Sequence, residues 1–402
     1  MEWRHGRKWG SGAAGAILLA ALALLASPAS AAGPPVLGID WSVPGLRLAW
    51  FDPQSLRMLP GRKAPLGFHN GSWSFSADRS VLAIGGDGVK LRFVDARRMR
   101  VLGDLRLAPG GDWTSGVTWL ASDRLLAYVG RPGATTVVSV DPSSRRVLHR
   151  RMIDGIVAGF ARLPDGLALL LRPEDGIGPA RVAVVDASGA VRTVTVGRIS
   201  IGSPLQVEEG EVARTASAGF AVDPTSRTSW VVGADALAEV DLDNLAVTYR
   251  SSPRQLAKAV EGPYRTAAWL GGGLLAVSGA DYRTTKTADG SFSTATTPYG
   301  LRLLDLAAGT SRTIDSQATT VDVANGLLLV RHGEDEIAYG RDGRVRFHVA
   351  VPTDDWLTAA GGTGLVCSQR NLVAIVDLAN GARTKARPGS VCADLLRGRS
   401  GY

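Results

Sequence analysis

Apolar residues in this chain fall into short runs that end, eight times, at an aspartate, and a new alternating run restarts within a few residues. The copies are LAWFDPQSLRML, LRFVDARRMRVL, VVSVDPSSRRVL, VAVVDASGAVRTV, LAEVDLDNLAVTY, LRLLDLAAGTSRTI, IAYGRDGRVRFHV and VAIVDLANGARTK. Their aspartates are Asp52, Asp95, Asp141, Asp186, Asp241, Asp305, Asp342 and Asp377, spaced 35 to 64 residues apart. Ahead of the hairpins stand other pairs of runs joined by small turn residues, as in SWSFSADRSVLAIGG, VTWLASDRLLAYVG, GFARLPDGLALLLR and VDVANGLLLVR. Short runs of this kind, bounded by Gly, Pro, Asn or Asp, predict strands. Pro164-Asp165-Gly166 and Asn325-Gly326 are strong hairpin turns. The only stretch with a helical period is a short one at 255–260.

Each repeat therefore reads as four antiparallel strands, a to d, and self-similarity at about 40–50 residues is the pattern of a β-propeller. The fold class expected is all-β, with eight four-stranded blades. Seven blades is the alternative, if one irregular repeat is a decorated hairpin. The N-terminal segment VLGIDWSVPGLRLAWFDPQSLRML supplies only strands b, c and d, and the C-terminal GSVCADLL offers the missing strand a. Pairing the two ends closes the ring and removes the edges an open sheet would expose. The aspartates are structural in this reading. Their carboxylates accept backbone N–H groups two residues on and close the turn where the strand stops.

The repeat SFSADRSVLAIGG with LRFVDARRMRVL, and the RLPDGL and ANGLLLV turns, resemble those of YVTN-type and quinoprotein-like propellers. The likeness spans nearly all of residues 32–402 and implies a single propeller domain there. It implies little about activity, because this fold carries many unrelated functions. The Trp-Asp signature of WD40 repeats is missing, with Val-Asp or Leu-Asp in its place. That argues against the ordinary intracellular scaffold class.

Composition adds an address. Arg4, Arg7 and Lys8 precede an apolar stretch from Ala13 to Ala26, then Pro28, then Ala29-Ser30-Ala31. That is the order of a cleaved secretory signal at residues 1–31. The apolar stretch is shorter than the roughly 20 residues a membrane span needs, and an uncleaved anchor is the alternative. No second apolar span follows, so a secreted or cell-envelope location is expected. Cys367 and Cys392 are the only cysteines, and an even count in an exported protein reads as a disulfide. The formal charge is +8; removing residues 1–31 takes away three basic residues and one acidic residue and leaves +6.

Successive antiparallel strands alternate in direction, so a–b and c–d turns gather on one face and b–c and d–a loops on the other. The long connections, at 107–114, 198–215, 251–264 and the insertion 280–299, all fall on the b–c/d–a face. Binding residues usually sit on such loops. The insertion ADYRTTKTADGSFSTATTPY is polar and reads as a solvated loop. On the same face arginine recurs near the end of strand b, at Arg131, Arg172, Arg283, Arg331 and Arg370. A ring of guanidiniums suits an anionic ligand. Duplicated positions neutralised by Glu174, Asp175, Glu334 and Asp335 are the plainer alternative. Trp113 and Trp356 stand at the starts of strands a, either rimming the opening or packing between blades.

His69 and His332 also belong to this face. No spacing of His, Cys or acids defines a metal or nucleophile site, and no cofactor is expected. No basic tract interleaved with aromatics suggests a nucleic-acid partner. The expected function is a monomeric, exported binding or interaction module for an anionic ligand or a cell-envelope partner. The alternative is a propeller-type hydrolase or lyase working at the axis of the long-loop face.

Overall fold

The computed structural model describes residues 35–40, 45–67, 72–86, 89–109, 113–121, 124–203, 212–213, 215–251, 262–352, 355–360, 362–368 and 371–395. The expected leader at 1–31 and the helical stretch at 255–260 lie outside the described residues. Every regular element among those described is a strand, and the strands form eight antiparallel sheets in a ring. Eight blades, and not seven, make up the propeller.

Blade 1 contains Val36–Asp40, Leu46–Phe51 and Met58–Gly67, with Ala393–Leu395 from the far end of the chain as its strand a. Blades 2 to 4 run from Trp73 to Arg106, from Trp113 to Asp154 and from Ile156 to Ser203. Blade 5 runs from Gly219 to Ser251. Blade 6 contains Pro263–Gly271, Leu274–Lys286, Leu301–Asp305 and Thr310–Asp315 as strands a to d. Blade 7 runs from Asp322 to Ala350 and blade 8 from Asp355 to Lys385.

Burial explains the apolar pattern. Strand b of blade 4, Gly166–Arg172, is buried at six successive positions, whereas strand d of blade 3, Arg146–Asp154, is exposed at most of its positions. Middle strands are covered on both sides by the neighbouring blades and so read as continuous apolar runs; outer strands meet water. The core accordingly lies between blades. Val182 and Val184 of blade 4 pack with Val222, Val231 and Val240 of blade 5.

All eight repeat aspartates cap their c–d turns. The carboxylates of Asp52, Asp95, Asp141, Asp186, Asp241, Asp305, Asp342 and Asp377 each accept the N–H two residues on, at 2.8–3.2 Å. The hydroxyl and N–H of Ser55 hold the Asp52 carboxyl below its usual range. In six of these turns the residue four places after the aspartate is left-handed: Leu56, Met99, Arg145, Leu245, Gly309 and Gly381. The last two use the one residue that adopts this conformation without steric cost.

Arginine ties blades together. Arg150 donates to the carbonyl of Leu107 at 2.6 Å, Arg250 to Leu306 at 2.7 Å, Arg341 to Gly271 at 2.7 Å and Arg383 to Ala350 at 3.0 Å. Each of these four bonds crosses from one blade to the next. The ring closes where Gly38, Ile39 and Asp40 pair with Leu395, Asp394 and Ala393. Arg57 reaches the carbonyl of Pro388 at 2.8 Å across the same seam. Cys367, on strand b of blade 8, is disulfide-bonded to Cys392, with Cα atoms 5.8 Å apart. Beside them Phe51 and Leu365 complete the seam's core.

One expectation needs correction. The insertion at 280–299 is not a solvated loop: strand b of blade 6 continues to Lys286 and pairs with Phe292–Pro298 as a two-stranded arm. Threonine is polar but β-branched, and its χ1 restriction suits a strand once a partner strand runs alongside.

The double substitution Cys367→Ser/Cys392→Ser is expected to lower unfolding free energy by roughly 3.5 kcal/mol, the chain-entropy value for a 26-residue loop, measured by urea unfolding. A loss below about 1 kcal/mol would mean that the strand pairing alone holds the seam. Gly309→Ala should cost about 1 kcal/mol, because alanine resists the left-handed backbone. Gly381→Ala should cost more, because its new Cβ would lie 2.6 Å from the Phe347 ring.

Candidate functional site

The two faces of the ring differ in build. On the a–b/c–d face, a cleft of about 280 Å³ between blades 4 and 5 is lined by Asp165, Asp186, Arg192 and Arg227 among others. Its charges join the blades: Arg227 bridges Asp165 and Asp243, both at 2.5 Å, and Arg192 donates to the Leu242 carbonyl at 3.0 Å. The b–c/d–a face is elaborated. Strand d of blade 4 extends to Ser203, and the blade 6 arm projects there with Val212–Ala213 paired to Thr285 and Thr284. The arm's tip is locked by Asp289, which accepts the Thr287 hydroxyl at 2.6 Å and the Ser291 N–H at 3.0 Å. Those bonds hold the Asp289 carboxyl down at about 2.

Between blades 6 and 7 the same face gathers a polar cluster. Asp315 ends strand d of blade 6 and is 7% exposed. Its Oδ2 accepts the Tyr339 hydroxyl at 2.7 Å, and its Oδ1 accepts the Gln317 N–H at 2.9 Å. The Nε2 of His332 lies 2.9 Å from the same Oδ2, off the hydrogen-bonding axis. Burial, reinforced by Asp315, drives the Tyr339 hydroxyl well above its ordinary pKa. The buried Asp315 carboxylate thus holds a tyrosine and stands against an imidazole.

On the same face, Glu336 of strand c in blade 7 sits opposite Arg331 of strand b and is 8% exposed. Burial pushes its carboxyl up to about 7; Asp322 and Asp335 add to the rise, and Arg331 opposes it. Tyr264 and Tyr282 meet edge to face at 6.0 Å, and burial raises the pKa of Tyr264, with Tyr282 and Asp322 adding to it. On the side toward blade 5, Arg265 is 1% exposed. It donates to the carbonyls of Tyr264 and Ala280 and pairs with Asp281 at 2.8 Å. Its guanidinium lies 4.1 Å over the Tyr299 ring. Among the described residues, no group of three His, Cys, Asp or Glu side chains is arranged to hold a metal ion.

The residues singled out in the sequence are distributed over this face. Arg131 donates to the Pro109 carbonyl, and Arg172 to the carbonyls of Pro173 and Glu174 at 3.2 and 3.4 Å. Arg331 is held by the carbonyls of Gly333, Val351, Pro352 and Asp355. Arg283 stands exposed on the arm, opposite Ala295. Trp356 is 42% exposed beside Asp355. Trp113 opens strand a of blade 3, and its side chain, together with His69 and Arg370, lies outside the described residues. His332 is brought to Asp315, which the sequence reading had not singled out, nor had it singled out Glu336 or Arg265. The signal available for Glu336 was an acid at an inward position of the strand DEIAY.

No protein-family model matches the chain, and no curated protein matches it. Solved structures do. A dihydro-heme d1 dehydrogenase, NirN in complex with DHE, superposes with a TM-score of 0.58 at 10% identity, over 91% of this chain and 74% of that one. Apo AztD from Citrobacter koseri superposes at 0.50 with 12% identity, over 89% and 96%. The shared feature is the β-propeller. At such identities the likeness extends to the fold alone. No helix among the described residues is long and apolar enough to cross a membrane.

Glu336 supplies a pH test of the cluster. Its folded pKa, near 7, lies above its ordinary 4.5, so its contribution to stability is complete below about pH 4.5 and is lost as pH rises through 7. Native protein should therefore lose on the order of 2–3 kcal/mol between pH 5 and 8 relative to Glu336→Gln. Parallel pH profiles for the two proteins in urea titrations would contradict the buried-acid assignment.

Proposed function

We propose that this chain is an exported β-propeller binding module of the YVTN-like kind, with residues 1–31 as its leader and the b–c/d–a face as its partner surface in the cell envelope. The observation that carries the reading is the asymmetry of the two faces. Tight aspartate turns close one face, while strand extensions, the arm and the polar cluster all rise from the other. Ile177, Phe292 and Trp356, at 42%, 57% and 42% exposure, offer apolar contacts from three blades on the elaborated face. The disulfide supports an oxidising compartment. Three of the arginines expected to meet an anion hold backbone carbonyls instead, so an anionic ligand rests mainly on the +6 charge and a protein partner is the stronger form of the proposal.

A photocrosslinking residue placed at Trp356 should capture a partner in the native envelope, and one placed at Val345, 50% exposed at the c–d end of blade 7, should not. Equal capture from both positions would remove the assignment of the face.

A second reading, a hydrolase or lyase, is favoured by the His332–Asp315 contact together with an acid titrating near 7. Turnover of any member of a lactone and ester panel by the purified protein, reduced at least a hundredfold in both His332→Ala and Glu336→Gln, would establish it. Turnover unaffected by the two variants would exclude this cluster as the site.

A further inference from the structure

Among the described residues every blade ends in an outer strand whose far edge meets no further strand beyond the single Gly202–Ala216 bridge of blade 4, and the sequence treats those edges alike. Strands d are MLPGRKAPLG, RVLGDLR, RVLHRRMID, VRTVTVGRISIGS, VTYRS, TSRTID, VRFHVA and RTK, and each carries at least one arginine or lysine. Charges on an outer strand discourage another chain from pairing with it. The outer strand of the arm breaks this rule. Phe292–Pro298 reads FSTATTP, with no charge, and its first six residues are all exposed. Among the described residues it pairs on one side only, with strand b of blade 6. A strand of this length leaves about three N–H and C=O pairs on its open edge.

The opposite edge of the same arm shows what such an edge accepts. There Val212–Ala213 adds as a short extra strand against Thr284 and Thr285. The arm is also pre-formed: the Asp289 turn locks its tip, and the Thr284 and Thr294 hydroxyls bond across it at 3.0 Å. A pre-ordered edge spares a partner part of the entropic cost of ordering the surface it meets.

We propose that Phe292–Pro298 is a strand-addition site that takes an extended segment of a partner polypeptide. Resting on the binding-module reading, the proposal names how the partner is held: main-chain hydrogen bonds give affinity, and alternate side chains give selectivity. One face of the arm carries Phe292, Thr294 and Thr296 with Tyr282 across from Thr296. The segment that fits is five to seven residues in about that length range, free of proline, with β-branched or aromatic residues on the side that meets this face.

The test uses residues 32–402 and a synthetic peptide, Lys-Thr-Val-Thr-Val-Thr-Val-Lys with blocked ends, beside the same peptide N-methylated at alternate residues. Hydrogen exchange should show new protection within 293–297 on adding the first peptide, and the N-methylated form should bind at least tenfold more weakly. Adjacent N–H groups of a strand point to opposite edges, so Thr294→Pro and Ala295→Pro divide the possibilities: one damages the arm and the other blocks only the open edge. The variant that keeps native protection at Thr284 and Thr285 should lose peptide binding at least tenfold. Equal binding of both peptides, unchanged binding by that variant, or protection appearing elsewhere would each overturn the proposal. A dimer of the protein alone that the same variant dissolves would also overturn it, because the edge would then belong to a second copy. A partner captured from Trp356 and indifferent to the edge proline would leave the binding reading standing and remove strand addition.

Discussion

The pairing of Ala393–Leu395 with Val36–Asp40 is the contact on which the rest of the ring depends. A propeller blade cannot bury both of its faces by itself; its middle strands stay dry only while a blade stands on each side. Blades 1 and 8 meet that requirement through residues at opposite ends of the chain. The seam is reinforced three ways: strand pairing, the Cys367–Cys392 bond, and the apolar contact of Phe51 with Leu365. Each acts on a different quantity. Pairing satisfies backbone groups, the covalent bond narrows the unfolded ensemble, and burial removes apolar area from water.

Arginine performs an allied task around the circumference. The chain carries far more arginine than lysine, and guanidiniums such as those of Arg150, Arg250, Arg341 and Arg383 donate to carbonyls of a neighbouring blade. A planar donor with five N–H groups can reach a turn carbonyl that an inter-blade boundary would leave bare. The charge therefore serves the scaffold before it serves any ligand. Arg331 illustrates this: three of its carbonyl acceptors, Val351, Pro352 and Asp355, lie on the connection into blade 8, next to exposed Trp356.

The elaborated face combines rigid and tunable parts. Its loops spring from strands buried on both sides, so side chains such as His332 and Glu336 are held by backbone that cannot shift without disturbing two blades. Glu336 is kept near neutrality by burial among Asp322, Asp335 and Arg331. Asp315 is drawn instead into hydrogen bonds with Tyr339 and Gln317. Two buried acids of this face thus meet different environments, one desolvated and one hydrogen-bonded.

The sequence by itself determined what is local or periodic. The eight aspartate turns, the four-strand repeat, the incomplete first blade and its completing C-terminal strand all follow from residues close together or repeated at fixed intervals. The cysteine pair was legible because the closing strand and strand b of blade 8 had already been placed side by side. Tertiary structure decided whatever requires two distant segments to meet. The insertion at 280–299 looked like a loop because threonine and serine are polar, and it became a strand because strand b of blade 6 continued beside it. The recurring arginines were visible, but their acceptors were not, since a backbone carbonyl has no residue type to read. Asp315 of blade 6 meets His332 and Tyr339 of blade 7 only once the two blades pack together, and the burial of Asp315, Tyr339 and Glu336 has no counterpart in the linear chain.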